Sequence, residues 1–370
     1  MDFAVGFGAQ LADPSPDAEH QLLRDCVDAA VFAEQMGFDR VWAPEHHSLK
    51  WYAHMSAPEI FLSFVAARTS TIRVGHGVVL MPFNYNHPVR VAERAAMLDA
   101  LSGGRLDLGA GRGATLQEMT LCNVDPERTY LEVEESLRMI ATMWQGDEFS
   151  WDGELTIAPH PILPRPVQRP HPPLFMACSK KDTVKLAAEY GVGALVLGFA
   201  GLDEVRGYHD LYRSTIAHRT GDRLVSPSAV NDFFSAVLPT IVLDDGDEAF
   251  RIGARGQRFF AESLAHWYAG EPEPRSDTEA DDNATEIARS RERVVAKLHE
   301  ANVPVTPLTT GTFNIDHAYG TADRAVEYVE ALADLGVDEV HCLVQMGTIP
   351  HDVVMETIRQ WGEKVIPRFR

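Results

Sequence analysis

The sequence predicts a (β/α)8 barrel, and two observations support this. Eight short apolar runs alternate with amphipathic segments along 370 residues, a length that suits an elaborated barrel. Most runs are continuously apolar, which is typical of parallel strands buried on both faces. The predicted strands are Phe3–Gln10, Arg40–Glu45, Ile72–Pro82, Leu106–Arg112, Leu174–Ser179, Ala194–Phe199, Ser235–Leu243 and Glu339–Met346. We therefore expect one domain spanning residues 1–370.

Amphipathic helices are predicted between these strands. In the first helix Cys26, Ala29 and Ala33 share one face at helical spacing, and Gly37 ends the helix. The predicted helices are His20–Met36, Ala57–Ala67, Pro88–Leu101, Arg128–Trp144, Asp182–Glu189, Leu202–His218, Asp247–Tyr268 and Thr321–Leu335, with a closing helix from Asp352 to Ile366. Eight strand–helix alternations indicate a barrel.

Three segments interrupt the alternation. Glu148–Pro173 is rich in proline and predicts a short hairpin with an extended run on top of the barrel. Gly270–Ser290 is acidic and nearly free of large apolar residues, which predicts a mobile loop. The prolines within Ala301–Asn314 predict extended backbone.

Charge and cysteine content limit the classes of function. Thirty-three basic and 54 acidic residues give a net charge of −21, which argues against nucleic acid and anionic membranes as partners. The four cysteines show no CxxC spacing and predict free thiols in a reducing compartment. With no leader or membrane-length apolar run in the sequence, a cytoplasmic protein is expected.

The segment Arg40–His47 (RVWAPEHH) contains the candidate catalytic residues. It predicts a buried strand that ends in an acid and two histidines, and ligands bind at the carboxyl ends of parallel strands. Glu45 and His46 would suit proton transfer at an enclosed site. The alternative is that these polar residues merely close the strand, with one histidine capping a helix.

Two further strand ends carry candidate binding residues. Arg112 lies among glycines at the end of the fourth strand, where backbone N–H groups and a guanidinium would bind phosphate. The fifth strand ends in the segment Cys178–Lys181, which enters a helix near Thr183 and is a second candidate phosphate site. The alternative is an ordinary serine N-cap with solvated lysines. Gly77, inside the third strand, marks either close approach of a ligand or a crowded core.

Other catalytic classes have no signature in the sequence. The histidines show no HxH or HExxH spacing, so a zinc site is not expected. No GxSxG occurs, which argues against a serine nucleophile.

Taken in order, these motifs resemble those of the bacterial luciferase-like flavin monooxygenases along nearly the whole chain. The resemblance rests on Gly37–His47, on Val74–Gly113 (VGHGVVLMP and NHPVRVAERAAMLDALSGGRLDLGAGRG), on the Ser179–Thr183 turn, on Ala265–Tyr268 and on Tyr319–Val329. It implies a barrel that binds reduced flavin mononucleotide (FMN) at its C-terminal mouth. The flavin, supplied by a separate reductase, would react with O2 to a C4a-peroxyflavin that oxygenates a small organic substrate.

The resemblance also implies roles for individual residues. His46 is similar to the family's active-site histidine, and Glu45 precedes it as in luciferase α-type chains. Gly77-Val78 resembles the family's non-proline cis peptide beside the flavin ring. Arg112, Ser179 and Thr183 are similar to phosphate-binding positions, and Phe199 to an aromatic residue beside the ring.

Two departures from the luciferase α-type pattern weigh against light emission but not against flavin binding. Gly111 stands where those chains have a cysteine, and Cys178 stands where they have a glutamate. Lys180 or Lys181 would then supply charge near the phosphate. The alternatives are a deazaflavin (F420)-dependent oxidoreductase of the same superfamily and a non-catalytic flavin-binding relative.

Substrate and assembly are only coarsely predicted. Trp51, Tyr52, Phe83 and Tyr85 indicate an aromatic-lined pocket, although core packing is the alternative. The apolar helices Ala57–Ala67 and Pro88–Leu101 favour a homodimer. Gly270–Ser290 is expected to act as a lid over the flavin.

Overall fold

A computed structural model describes residues 1–276, 283–300 and 310–370, and its centre is a closed barrel of eight parallel strands. These are β1 (Asp2–Phe7), β2 (Arg40–Ala43), β3 (Arg73–Leu80), β4 (Leu106–Gly111), β7 (Leu174–Cys178), β8 (Gly193–Leu197), β9 (Phe234–Val242) and β11 (Glu339–Gln345). Each strand pairs in parallel with the next, and β11 pairs with β1 to close the ring. The predicted fold and all eight predicted strands are confirmed.

The remaining elements surround the barrel. Helices are α1 (Pro16–Gln35), α2 (Pro58–Arg68), α3 (Pro88–Ser102), α4 (Leu116–Leu121), α5 (Thr129–Met143), α6 (Lys181–Tyr190), α7 (Leu202–His218), α8 (Gly246–Ala269), α9 (Asn283–Glu300), α10 (Ala322–Leu335) and α11 (His351–Gln360). The additional strands are β5 (Phe149–Asp152), β6 (Thr156–His160) and β10 (Ala318–Gly320). A π-helical turn at Trp361–Val365 extends α11.

The predicted β5–β6 hairpin is confirmed, but the extended run after it, which was expected on top of the barrel, lies elsewhere. The segment that follows it contacts the end where the strands begin: the Gln168 side chain donates to the Leu106 carbonyl at 2.7 Å. The Leu108 N–H donates to the Pro173 carbonyl at 2.9 Å. Because α5 has carried the chain back from the mouth, the run that leads into β7 lies at the base of the barrel.

A buried charged network fills the lower part of the barrel. Arg40 donates from Nε to Asp107 at 2.7 Å and also pairs with Glu339. Glu339 in turn accepts hydrogen bonds from the Trp42 indole at 2.8 Å and from the Ser235 hydroxyl at 2.7 Å. Paired charges with complete hydrogen bonding are the form in which ions are tolerated in a core. Polar interactions therefore close the base of the barrel.

The long helix α8 lies across the mouth. Phe260, Leu264 and Tyr268, spaced four residues apart, share the face that meets the barrel interior. On its other side Ala261 and Ala265 pack against Ile287 and other apolar residues of α9. Helix α8 is thus the roof of the space inside the barrel.

The predicted loop Gly270–Ser290 is shorter than expected. Residues 271–276 have no regular secondary structure, residues 277–282 lie outside the described part of the chain, and α9 begins at Asn283. The prediction for Ala301–Asn314 falls mostly on residues 301–309, which also lie outside the described part. Gly311–Phe313 form a short 3₁₀ helix.

Candidate active site at the barrel mouth

A cavity of about 270 Å³ opens at the carboxyl ends of the barrel strands. Residues from the ends of β1, β2, β3, β4, β7, β8 and β11 form its wall, and the α8 roof faces it. The candidate residues that line it are Glu45, His46, Gly77, Val78, Gly111, Arg112, Ser179, Thr183 and Phe199. The barrel has therefore brought together side chains that are up to 154 positions apart in the sequence.

His46 is held by a buried carboxylate. Its Nδ1 lies 3.0 Å from Oε1 of Glu118, and its backbone N–H donates to the Met55 carbonyl at 3.1 Å. An ionised carboxylate only accepts hydrogen bonds, so Nδ1 carries a proton and the neutral ring presents Nε2 as an acceptor. No hydrogen bond from a described residue reaches Nε2, which leaves this nitrogen available to a molecule in the cavity.

Glu118 is a residue of the candidate site that the sequence analysis did not identify. It is completely buried in α4, where it forms a capping box with Thr115: the Glu118 N–H donates to the Thr115 hydroxyl at 3.2 Å. Burial raises its pKa, but hydrogen bonds from His46, the His47 N–H and Thr115 outweigh that effect and hold the pKa below its usual value. The T-x-x-E spacing was a visible signal for the helix start, although not for its contact with His46.

Glu45 pairs with His47 rather than with His46. Its carboxylate accepts from His47 Nε2 at 2.9 Å, from the Leu80 N–H at 2.9 Å and from the Asn86 amide at 2.9 Å. Burial raises the pKa of Glu45, but these hydrogen bonds lower it further than burial raises it. The same contact with Glu45 raises the pKa of His47. Glu45 thus joins the end of β2 to the end of β3, with both oxygens occupied.

One wall of the cavity is formed by Gly77-Val78 and Gly111. The peptide bond between Gly77 and Val78 is cis, as the resemblance implied. A Cβ atom at Gly111 would overlap the Val78 side chain. Position 111 therefore has room for glycine alone while Val78 keeps its place, which accounts for this departure from the luciferase α-type pattern.

Two cations share one aromatic ring at the phosphate-binding candidate. The Arg112 guanidinium lies 5.0 Å from the centre of the Tyr130 ring, and the Lys180 ammonium lies 5.5 Å from it. The Tyr130 hydroxyl is buried and has no hydrogen-bond partner among the described residues. Only Arg112 of these residues lines the cavity, whereas Lys180 and Tyr130 lie behind it and are absent from the wall. Two cations and a free hydroxyl this close together suit an anion with several oxygens.

The turn before α6 contributes less to the candidate phosphate site than predicted. The Thr183 hydroxyl accepts from the Ser179 and Lys180 N–H groups at 3.2 and 3.3 Å and donates to the Lys180 carbonyl at 2.9 Å. It therefore shapes the turn. Cys178 was predicted to bind the cofactor, but it does not line the cavity. Its thiol instead donates to the Met176 and Thr183 carbonyls. Side chains alternate along a strand, so Ala177 and Ser179 face the cavity and Cys178 faces outwards.

Aromatic residues form the upper wall. Phe199 stacks on Phe260 of α8 with ring centres 4.9 Å apart. The Tyr52 ring meets the His46 ring edge-on and the Phe260 ring at a tilt. Of the four aromatic residues predicted for a pocket, only Tyr52 lines the cavity. Tyr85 lies behind His47, on which it stacks with ring centres 6.0 Å apart.

The family model described as luciferase-like monooxygenase matches residues 1–339. The chain belongs to this family. A 4-hydroxyprotoasukamycin monooxygenase from Streptomyces nodosus subsp. asukaensis is 36% identical over 208 residues, which cover 52% of this chain and 53% of that protein. The chain thus spans about half the length of that relative. The oxygenase component of a flavin-dependent trigonelline monooxygenase from Acinetobacter baylyi is 24% identical over 367 residues, covering 95% and 91%.

Solved structures of monooxygenases share the fold. Monooxygenase RslO1 from Streptomyces bottropensis superposes with a TM-score of 0.78 at 23% identity, over 100% of both chains. The oxygenating constituent of 3,6-diketocamphane monooxygenase from Pseudomonas putida, in complex with FMN, gives a TM-score of 0.71 at 19% identity, over 100% of this chain and 98% of that one. At these identities the likeness supports the barrel alone.

The family also contains enzymes that use a deazaflavin. An F420-dependent glucose-6-phosphate dehydrogenase from Amycolatopsis mediterranei is 30% identical over 187 residues, covering 49% of this chain and 55% of that protein. Membership of the luciferase-like monooxygenase family therefore supports an oxidoreductase without fixing its cofactor. Within the described residues, no helix is long and apolar enough to cross a membrane.

Proposed function

We propose that this protein is the oxygenase of a two-component system that uses reduced FMN and O2 to oxygenate a small organic molecule. The observation that carries the proposal is the cavity itself, whose wall contains both Arg112 and His46, the latter paired with Glu118. An enzyme that binds a phosphorylated flavin and transfers protons near the flavin ring needs both a cation for the phosphate and an acid–base group. A relative named as the oxygenase component of a flavin-dependent monooxygenase supports the same assignment.

The residues present fit FMN. Arg112 and Lys180, which share the Tyr130 ring, would hold the phosphate, and the unpartnered Tyr130 hydroxyl would donate to one of its oxygens. Val78, seated against Gly111, and Phe199 would border the ring system. Reduced FMN bound there supplies the electrons with which O2 is reduced and the substrate oxygenated.

The protein's own groups would perform the proton chemistry. His46 would give or take a proton at Nε2, since Glu118 keeps Nδ1 as a donor. Glu45, whose oxygens are all engaged, would act as a positioning residue for the β2–β3 wall. Helix α8 with Phe260 and Leu264 would exclude water from the cavity.

A single-turnover experiment tests the proposal. The protein is mixed anaerobically with reduced FMN, then with isotopically labelled O2 and a panel of organic substrates, and the products are examined by mass spectrometry. We expect label in an organic product and tight binding of FMN. Hydride transfer from a reduced deazaflavin, without uptake of O2, would support the F420-dependent alternative. Flavin binding with neither reaction would support a non-catalytic role.

A further inference from the structure

A second cavity, of about 240 Å³, lies between α1, α11 and the barrel wall. It shares three wall residues with the cavity at the barrel mouth, namely Phe7, Gln10 and Gln345. None of the residues proposed to bind FMN or to move protons lines it. The two cavities are therefore neighbours that these three residues separate, and the proposed chemistry gives the second cavity no role.

The second cavity is apolar inside and polar at its rim. Its deeper wall consists mainly of apolar side chains, among them Leu22 and Cys26 of α1 and Val354 of α11. At the rim His351 of α11 lies 3.9 Å from the Asp25 carboxylate of α1, and both side chains are partly exposed. Because a buried water needs several polar partners, the interior suits a small neutral molecule better than water.

The wall between the two cavities is closed by side chains at a break in the barrel ladder. The pairing of β1 with β11 shifts by one residue between Gly6 and Phe7, which is a bulge. Beyond the bulge the Gln345 carboxamide accepts from the Gln10 N–H at 2.9 Å and donates to the Gln10 carbonyl at 2.8 Å. Side chains rotate far more readily than a strand ladder opens. This is therefore a part of the barrel wall that is able to open.

The backbone that leads into this wall is strained. Ala9 is completely buried and has a φ of 52°, in the left-handed region that favours glycine. Its carbonyl accepts from the His54 N–H at 2.9 Å, which helps to hold it there. Strained backbone persists only where the surroundings enforce it, and it clusters at functional sites. The position of Ala9, directly before Gln10, thus favours a functional wall.

A reaction of bound FMN with O2 needs a route for O2 that remains open when the mouth is covered. Helix α8 turns Phe260 and Leu264 towards the cavity, and this roof would exclude water during the reaction. FMN and an organic substrate are too large to pass between two glutamine side chains. O2 is a neutral diatomic molecule that favours apolar surroundings, so it matches both the narrow wall and the apolar interior of the second cavity.

We propose that the second cavity binds O2 and delivers it to the flavin through a gate formed by Gln10 and Gln345. O2 enters between α1 and α11, is held among the apolar side chains, and passes when the Gln345 side chain rotates away from Gln10. The inference rests on the proposed function, since it concerns the supply of the oxygen that this function consumes. It assigns a ligand site outside the barrel interior.

Xenon is the probe for the site itself, because it is neutral and occupies dry apolar cavities. Crystals of the wild-type protein pressurised with xenon should show an atom beside Leu22 and Cys26. Ala18→Trp places a large ring in the same space from its partly exposed rim, so it should remove the xenon. Asp17→Trp, at an exposed position of α1 outside the cavity lining, is the matched control and should keep it.

Stopped-flow mixing of the protein that carries reduced FMN with O2 measures delivery to the flavin. Ala18→Trp should lower the second-order rate constant at least roughly tenfold with unchanged FMN affinity, because a roof opens far more slowly than a side chain rotates. Gln345→Met keeps the length of the side chain but loses both hydrogen bonds to Gln10, so it should raise the rate constant. Asp17→Trp should react like the wild type.

Three results would overturn the inference: absence of xenon from this cavity, reaction of Ala18→Trp with O2 as fast as Asp17→Trp, or no faster reaction in Gln345→Met than in the wild type. Failure of the proposed function gives a different result. Isotopically labelled O2 would then leave no label in any organic product, while oxidation of the bound flavin would still depend on positions 18 and 345.

Discussion

At the residue scale, the pairing of His46 with Glu118 gives the sharpest prediction. His46→Ala should lower turnover roughly 10²–10⁴-fold, the usual range for a general acid–base group, with little change in FMN affinity. Glu118→Gln keeps an acceptor for Nδ1 and thereby preserves the orientation of the ring, so it should lower turnover less than His46→Ala does. Stopped-flow measurements across pH provide the readout. A normal rate in His46→Ala would refute the catalytic role.

Arg112 gives a second prediction at the same scale. Arg112→Ala should weaken FMN binding by about 1.5–3 kcal/mol, the range for a charge-assisted hydrogen bond, while riboflavin affinity hardly changes. Lys185→Ala, on the exposed side of α6, is the control and should change neither affinity. Fluorescence titration measures both ligands. An equal loss for FMN and riboflavin would reject contact between Arg112 and the phosphate.

Some residues of the candidate site could be predicted from the sequence and others could not, for physical reasons. Strand ends locate side chains such as His46 and Arg112, because the carboxyl ends of parallel strands meet at one mouth. Strand alternation would have excluded Cys178, since its neighbours Ala177 and Ser179 face inwards. The contact between Glu118 and His46 spans 72 positions and depends on how the segment after β4 folds back, which no local pattern encodes.

At the scale of elements, the link between β2 and β3 should make stability depend on pH. Contact with Glu45 raises the pKa of His47, so this stabilisation is complete below the unfolded-state pKa of about 6.5 and is lost as pH rises through the higher folded-state value. His47→Gln should remove that part of the pH dependence. Thermal melts from about pH 5.5 to about pH 9 should show the two proteins converging at the alkaline end. A constant difference would contradict the assignment.

The segment around α9 shows where composition misleads. The acidic run led to a predicted loop over Gly270–Ser290, yet Ile287, Val294 and Leu298 lie at helical spacing and pack on α8. A charged side chain of α9 also forms an ion pair with a residue that precedes the helix, since the Lys297 ammonium lies 2.7 Å from the Glu271 carboxylate. The composition of Glu271–Asp282 gives no information about the helix that begins at Asn283.

A lid function for this region remains a proposal, and a measurement can decide it. Arg275 is bonded to Glu262 of α8 at 2.9 Å, so the segment is attached to the roof of the cavity. We expect bound FMN to slow tryptic cleavage after Arg275, and deletion of Glu271–Asp282 to increase release of hydrogen peroxide. Unchanged cleavage together with unchanged peroxide release and product yield would identify a surface insertion without this role.

At the scale of the whole molecule, the interior of the barrel has two parts, a closed polar part and an open cavity. The lower part is closed by the Arg40–Glu339 network, and the upper part is an open cavity with an apolar roof. The strand–helix alternation predicted this architecture because parallel barrels place stability at one end and ligands at the other. It did not predict the roof, since only the path of the chain after β9 brings α8 over the mouth.

The last prediction concerns assembly through one outer face of the barrel. Of the apolar residues expected to meet a partner, Phe61, Val91, Ala95 and Leu98 are buried in the core, whereas Ile60 and Phe64 are 60% and 62% exposed. Leu23 of α1 lines the same surface groove as these two. Met97 and Leu101 of the adjacent α3 are also exposed, at 56% and 72%. Large exposed apolar side chains on neighbouring helices favour a self-complementary contact between two copies.

We therefore expect a homodimer that buries Ile60 and Phe64. Light scattering at micromolar concentration should give about twice the 40.9 kDa of one chain. Phe64→Asp should produce monomers, because a carboxylate buried in the contact would lack a partner. Leu163→Asp, which changes an equally exposed residue in the segment at the base of the barrel, should leave the dimer intact. A wild-type mass near 40.9 kDa would contradict the prediction, and a monomeric Leu163→Asp variant would place the contact elsewhere.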